Sequence, residues 1–151
     1  MAYSGTGYYE EYGIVQLIDT VNDPPVNWKF PLKYIRYETY KVTPDQNQDL
    51  DSTVDTSGNL HRYPLNHTRT KVEFNMPIMT STVLDGIIAT IASYWNKPTE
   101  RKVYMRYFDP LTNGYKTGYF YIPDIDFTIM NIDESNGLIK YQEVRIAFIE
   151  Y

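Results

Sequence analysis

The sequence predicts an α+β fold that is mostly β: an antiparallel β-sandwich or open barrel with one flanking helix. Three observations predict it. Short segments rich in Tyr, Phe, Val and Ile alternate with period two and are separated by Pro, Asn and Gly clusters, as half-buried antiparallel strands are. A single stretch, residues 84–95, instead carries apolar residues at helical spacing. The strands lie on both sides of that one helix in sequence order and do not alternate with helices, which disfavours a parallel α/β sheet.

The strongest strand signal is Val103–Ile122, VYMRYFDPLTNGYKTGYFYI. Two aromatic and β-branched runs flank Asp109–Gly114, where Pro110 presets one turn dihedral and Asn113-Gly114 supplies positive φ. Val103, Met105 and Tyr107 alternate with Tyr104, Arg106 and Phe108; Phe120 and Ile122 alternate with Tyr115, Thr117, Tyr119 and Tyr121. Both faces of this hairpin carry large side chains, so one must meet the core and the other a second covering surface, such as another subunit.

Taken in order, residues 1–13, MAYSGTGYYEEYG, lack an apolar period and read as a flexible N-terminal arm whose tyrosines can dock on a neighbour. Ile14–Ile18 is a short strand closed by Asn22-Asp23-Pro24-Pro25, and Trp28–Val42 is a second strand. Residues 44–60, polar and rich in Asp, form a long loop or projecting arm. Asp45, Asn47 and Asp49 open like a calcium loop, but Leu50 stands where Gly is needed and Thr56 where the bidentate Glu belongs, so that match is rejected. His61–Met76 returns to strand, with Thr70, Val72, Phe74 and Met76 facing the core. Thr80 or Ser81 caps a helix whose stripe is Leu84, Ile87, Ile88, Ile91, Ala92 and Trp95. Gly86 within it implies a close approach to a strand, and Asn96-Lys97-Pro98 ends it. Asp124–Met130 is a strand with Ile125, Phe127 and Ile129 inward, and the last strand runs from Leu138 to the final residue.

The chain of 151 residues suits a single domain spanning 1–151, long enough to bury about 68–70% of its unfolded surface. The net charge of −5 leaves no clustered cations for phosphate, so sequence-specific nucleic-acid binding is not expected. There is no cysteine, hence no disulfide or thiolate chemistry, and no apolar run approaches the roughly 20 residues of a membrane span. A soluble protein made in the cytoplasm, without membrane association, is the expectation. Sixteen tyrosines, whose large stiff rings favour interfaces, are the unusual feature.

Catalytic candidates are few. His61 and His67 share a strand face and lie near Asp55, but a strand-end His beside a polar loop is ordinarily solvated. Asp124 and Asp126, two apart on one strand face, could pair as carboxylates, but such a pair is more often a solvent face. With no phosphate loop, nucleophile elbow or zinc-protease motif, no enzyme and no cofactor or metal is expected. Trp28 with nearby tyrosines is the platform for an alternative function, carbohydrate binding by a receptor-binding module.

Three segments resemble a family of small bacteriophage and prophage proteins encoded among tail and baseplate genes: His67–Met76 (HTRTKVEFNM), Tyr104–Asp124 (YMRYFDPLTNGYKTGYFYIPD) and Tyr141–Glu150 with its AFIE. Arg69-Thr70-Lys71 departs from that family's run of basic residues, and Asn113-Gly114 lengthens its turn by one residue. The resemblance covers about the C-terminal half and brings no catalytic residues. It implies a phage tail-tube-like sandwich and a virion structural protein of the tail, a ring component of the tail tip, baseplate or tube. Its partners would be further copies of itself in a hexameric ring and other tail or baseplate proteins. The intersubunit contacts expected are Tyr8, Tyr9 and Tyr12 of the N-terminal arm, Asp45, Asp49, Asp51 and Asp55 of the acidic arm, and Tyr107, Tyr115, Tyr119 and Tyr121 of the hairpin.

Overall fold

The structure is a computed structural model; it describes the chain except for residues 1–2, 47–48, 55–57, 59, 65–68 and 97, with the backbone alone at 45–46, 49–54 and 60–64. Among the described residues, twelve strands and one α-helix follow in order. They are β1 (Val15–Leu17), β2 (Trp28–Lys29), β3 (Lys41–Gln46), β4 (Asp49–Val54), β5 (Leu60–Pro64), β6 (Arg69–Met76), β7 (Met79–Thr80), α1 (Ser81–Ser93), β8 (Lys102–Asp109), β9 (Gly114–Tyr121), β10 (Ile129–Asp133), β11 (Leu138–Tyr141) and β12 (Val144–Glu150). Seven strands make the main sheet in the order β2-β1-β8-β9-β12-β6-β3, three make a second sheet, β10-β11-β7, and β4 and β5 make a third. Every pairing is antiparallel. The fold is therefore α+β and mostly β, an open sandwich-like arrangement with one helix, as the strand and helix periods predict.

One face of the main sheet is the floor of the core. Alternation along β6 buries Thr70, Val72, Phe74 and Met76, and along β12 Val144, Ile146 and Phe148, while Lys71, Glu73 and Arg145 point the other way. On β8 the same parity buries Val103, Met105, Tyr107 and Asp109. The second layer is α1 with its neighbours β7 and β11; Leu84, Ile87 and Ile91 seat the helix on the core. Phe74 meets Phe30 edge-on at 5.0 Å between centroids and Phe148 at 6.4 Å, so rings from three separated stretches of chain interlock.

Several elements differ from the sequence prediction. The second strand is only Trp28–Lys29; two 3-10 turns, Leu32–Tyr34 and Tyr37–Thr39, replace its middle. Their backbone latches onto the end of β6 instead, Arg36 N–H donating to Asn75 O at 3.0 Å and Asn75 N–H to the Thr39 hydroxyl at 2.8 Å. Residues 44–60 are no plain loop: the stretch holds the end of β3, all of β4 and the first residue of β5, with Ser52 opposite Arg62 and Val54 opposite Leu60. An antiparallel ladder satisfies backbone donors and acceptors whatever the side chains, which is why an apolar-poor stretch can be strand. The last strand is two, β11 in the second sheet and β12 in the first, so the chain changes layers at Gln142-Glu143. Thr80 holds the helix N-cap position with extended dihedrals but makes no side-chain cap bond. Gly86 faces open space, with nothing within 4 Å of where a Cβ would stand, so no strand approaches it.

Candidate functional site

The β8–β9 hairpin is in register from Lys102 opposite Tyr121 to Asp109 opposite Gly114. Asn113 takes φ +52° in its turn, the left-handed conformation that Asn tolerates. Asp109 is completely buried at the hairpin end, its Oδ1 accepting the Leu111 N–H at 3.0 Å and its Oδ2 lying 3.0 Å from the Lys116 ammonium. This fixes the tip and explains why the Asp-Pro turn begins with an acid.

The outer face of the hairpin divides in two. Towards the tip it is covered by the chain's own N-terminal residues. The Tyr115 hydroxyl donates to Gly13 O at 2.6 Å and accepts the Tyr9 N–H at 3.0 Å, while Gly7 N–H donates to Asn113 O at 2.6 Å. Tyr3 and Tyr12 stand edge-on to the Tyr115 ring at 5.3 and 5.1 Å, and Tyr9 joins Tyr12 at 4.7 Å. The Arg106 guanidinium lies 4.1 Å from the centre of the Tyr12 ring and donates to the Gln16 amide oxygen. Gly114 permits this close seat: a Cβ there would stand 3.1 Å from Gly5 O and 3.1 Å from the Tyr3 hydroxyl. Desolvation raises the Tyr115 phenol above its ordinary value, which favours its protonated form in the clasp.

Towards the base the face is open. Tyr104 and Tyr119 pair at 4.7 Å, the Lys102 ammonium sits 4.8 Å over Tyr119 and 3.8 Å over Tyr151, and Tyr121 meets Tyr151 at 6.5 Å. Tyr119 keeps 44% of its surface in solvent.

A second surface lies across the molecule's other layer. β10 is an edge strand, and all five of its residues are exposed, including Ile129, Met130 and Ile132. Beside it a groove of about 400 Å³ runs between Leu84, Ile88 and Ala92 of α1 and the rings of Phe127 and Tyr141, which stand 6.1 Å apart. Ile88 and Ala92 belong to the predicted apolar stripe, but only its Leu84, Ile87 and Ile91 are fully buried, and Ile88 and Ala92 stay partly open. Ile125, Phe127 and Ile129, expected on the inner side of a strand, instead lie ahead of and at the start of β10, and Phe127 and Ile129 are about half exposed. The sequence did carry a signal: Ile129, Met130 and Ile132 fill both parities, which a one-sided strand does not do.

The predicted contact residues fall as follows. Tyr119 and Tyr121 lie on the open face; Tyr115, Tyr9 and Tyr12 meet one another within this chain; Tyr8 is exposed. Tyr107 is a correction. It is 3% exposed and its ring packs edge-on against Phe120 at 5.4 Å, because its parity is that of Val103 and Met105. Asp45 lies on β3, Asp49 and Asp51 on β4, and Asp55 outside the described residues.

Of the catalytic candidates, His61 is on β5 and His67 is outside the described residues; Asp124 pairs with Arg101 at 3.1 Å on the surface, and Asp126 is exposed. Among the described residues no group of three or more His, Asp or Glu is placed to hold a metal, and no helix is long and apolar enough to cross a membrane. Trp28 is half-buried against Phe30 at 5.1 Å.

No curated protein matches the chain. The sequence profile of a family of unknown function, DUF6711, matches residues 26–151, which takes in every element from β2 to β12 and leaves the N-terminal clasp and β1 outside. The chain belongs to that family.

Proposed function

We propose that the protein is a structural subunit of a bacteriophage tail that works by self-assembly into a homo-oligomeric ring and by docking to other tail or baseplate proteins. The observation that carries this is β10, an edge strand with open backbone groups and three exposed apolar side chains beside an apolar groove. Such an edge is a template for pairing with another chain, and monomeric proteins ordinarily blunt it with charge, proline or a cover. The Tyr104, Tyr119, Tyr121 and Tyr151 face with Lys102 is a second surface of different chemistry. Two unlike surfaces on one subunit suit a heterologous, head-to-tail contact, the kind that closes into rings, whereas a two-fold dimer needs one self-complementary patch. The resemblance to tail-module proteins in Tyr104–Asp124 and Tyr141–Glu150 supports the tail as the setting. The β4–β5 hairpin, carrying Asp49 and Asp51, is an acidic arm for contacts at the ring's rim.

The test is the mass of the purified full chain in solution together with electron microscopy of what it forms. The expected result is a closed ring that Ile132→Lys reduces to monomer with unchanged thermal stability, since Ile132 is 58% exposed and contributes little to the folded monomer. A chain that stays monomeric at high concentration, or a ring that Ile132→Lys leaves intact, would overturn the reading.

A further inference from the structure

The loop 18–27 and the C-terminal end of α1 enclose a cleft of about 380 Å³ that the assembly surfaces do not use. That volume lies within the roughly 300–1,000 Å³ of small-ligand sites. Its form is set by the chain alone. Asp19 Oδ1 accepts the N–H of Val21 at 2.9 Å and of Asn22 at 3.2 Å, and its Oδ2 accepts the N–H of Val26 at 3.1 Å and the Asn22 side-chain amide at 2.7 Å. The Tyr94 hydroxyl donates to Val26 O at 2.8 Å, and the Thr20 hydroxyl donates to Asn96 Oδ1, so loop and helix end are tied at two points.

The lining decides what could enter. Val21 and Val26 are 86% and 65% exposed, apolar lips with no cover among the described residues. Tyr94 and Trp95 give aromatic wall, and Asn22, Asn96, Thr20 and Ser93 give neutral amide and hydroxyl groups. The described lining residues carry no cation, and the cleft lies at the carbonyl end of α1, which disfavours an anion. The one carboxylate, Asp19, already accepts four hydrogen bonds, which hold its pKa far below the ordinary range and leave little capacity to ligate a metal. Aromatic and aliphatic surface combined with neutral planar amides is the set that takes a neutral polyhydroxylated ring, its C–H face on the apolar wall and its hydroxyls on the amides.

We propose that this cleft binds a single neutral hexopyranose unit of a glycan. The site is distinct from the Trp28 platform that the sequence suggested and does not depend on ring assembly. In the full chain carrying Trp28→Phe, Trp95 is the only indole and reports the cleft directly. Titration with glucose, galactose, mannose, N-acetylglucosamine and their uncharged disaccharides, read by its fluorescence and by saturation-transfer NMR, should give a saturable response to at least one of them. N-acetylneuraminic acid, the anionic control, should give none. Ser93→Phe, at an exposed helix end, should fill the cleft and abolish the response, and Asn96→Ala should weaken it about tenfold, the equivalent of one hydrogen bond. No saturable response to any neutral sugar, a response that survives Ser93→Phe, or preference for the anionic sugar would each overturn the proposal while leaving the assembly reading, built on other residues, untouched.

Discussion

Tyr115→Phe removes one oxygen atom and isolates what holds the N-terminal residues to the hairpin. The hydroxyl joins the buried Gly13 carbonyl at 2.6 Å and the Tyr9 N–H at 3.0 Å, while the ring, which stays in the variant, keeps its contacts with Tyr3, Tyr12 and Phe108. Each lost neutral hydrogen bond costs about 0.5–1.5 kcal/mol, and the Gly13 carbonyl, buried, falls at the upper end because water does not replace its donor. The sum is about 2 kcal/mol, or about 4–8 °C in Tm for a domain of this size. Urea denaturation followed by tryptophan fluorescence measures it, and amide exchange at Gly7 and Tyr9 should speed up in parallel. The decisive control is a cycle: in a chain lacking residues 1–13 both partners of the hydroxyl are gone, so Tyr115→Phe should then cost close to nothing. Equal costs in the two backgrounds would refute the clasp.

Two further outcomes follow from the structure. Gly86→Ala should stabilise the protein by about 0.5–1 kcal/mol, because the position is helical and its Cβ meets open space; a loss of stability in thermal melts would mean that something approaches this face after all. Stability should also fall at both ends of the pH scale. Backbone and side-chain hydrogen bonds lower the carboxyl pKa of Asp19 and Asp133, and at Glu73 burial, which would raise it, is outweighed by Arg145, Lys71 and Lys41. Their contribution is complete above the unfolded values near about 4 and is lost as pH falls through the lower folded ones. Burial raises the phenols of Tyr40 and Tyr115, so their contribution is complete below about 10 and is lost as pH rises through the higher folded values. Urea midpoints across pH 3–11 check both limbs, and a midpoint independent of pH would contradict the carboxylate contacts and the burial of the two phenols.

Where one face of an element meets the core and the other meets water, alternation alone located it. Val72, Phe74 and Met76 on β6, and Val103 and Met105 on β8, are buried where the period of two puts them. The same period misled at Tyr34, Arg36, Glu38 and Tyr40, which alternate like a strand but lie in and beside two 3-10 turns. Nothing local in those residues favours a turn. What holds them is distant, the Asn75 backbone and the ion pair of Arg36 with Glu143, and a tertiary partner of that kind overrides a pattern over a handful of residues. The break between β11 and β12 is illegible for the same reason: Leu138–Glu150 is continuous in composition, and only the presence of two layers makes the chain divide between them.

The candidate surfaces show the limit more sharply, since the question there is what remains uncovered after folding. The outer face of the hairpin needs a second covering surface, and the chain supplies it at the tip and not at the base. Tyr3, Tyr9 and Tyr12 cover Tyr115, leaving Tyr119 open, because a segment without apolar periodicity can still dock through a few aromatic rings and two hydrogen bonds from one hydroxyl. Tyr107 is an interface type of residue, but its parity with Val103 and Met105 puts it inward; where type and parity disagree on a regular strand, the pleat decides. β10 shows the converse. Its Ile129, Met130 and Ile132 have core composition, but none of them belongs to the core that the main sheet and α1 build, so the second sheet's edge strand is left with apolar side chains and open backbone groups in solvent. An apolar strand that its own domain does not bury is a surface waiting for another chain, and that surplus, more than the number of tyrosines, is what makes assembly the function to test first.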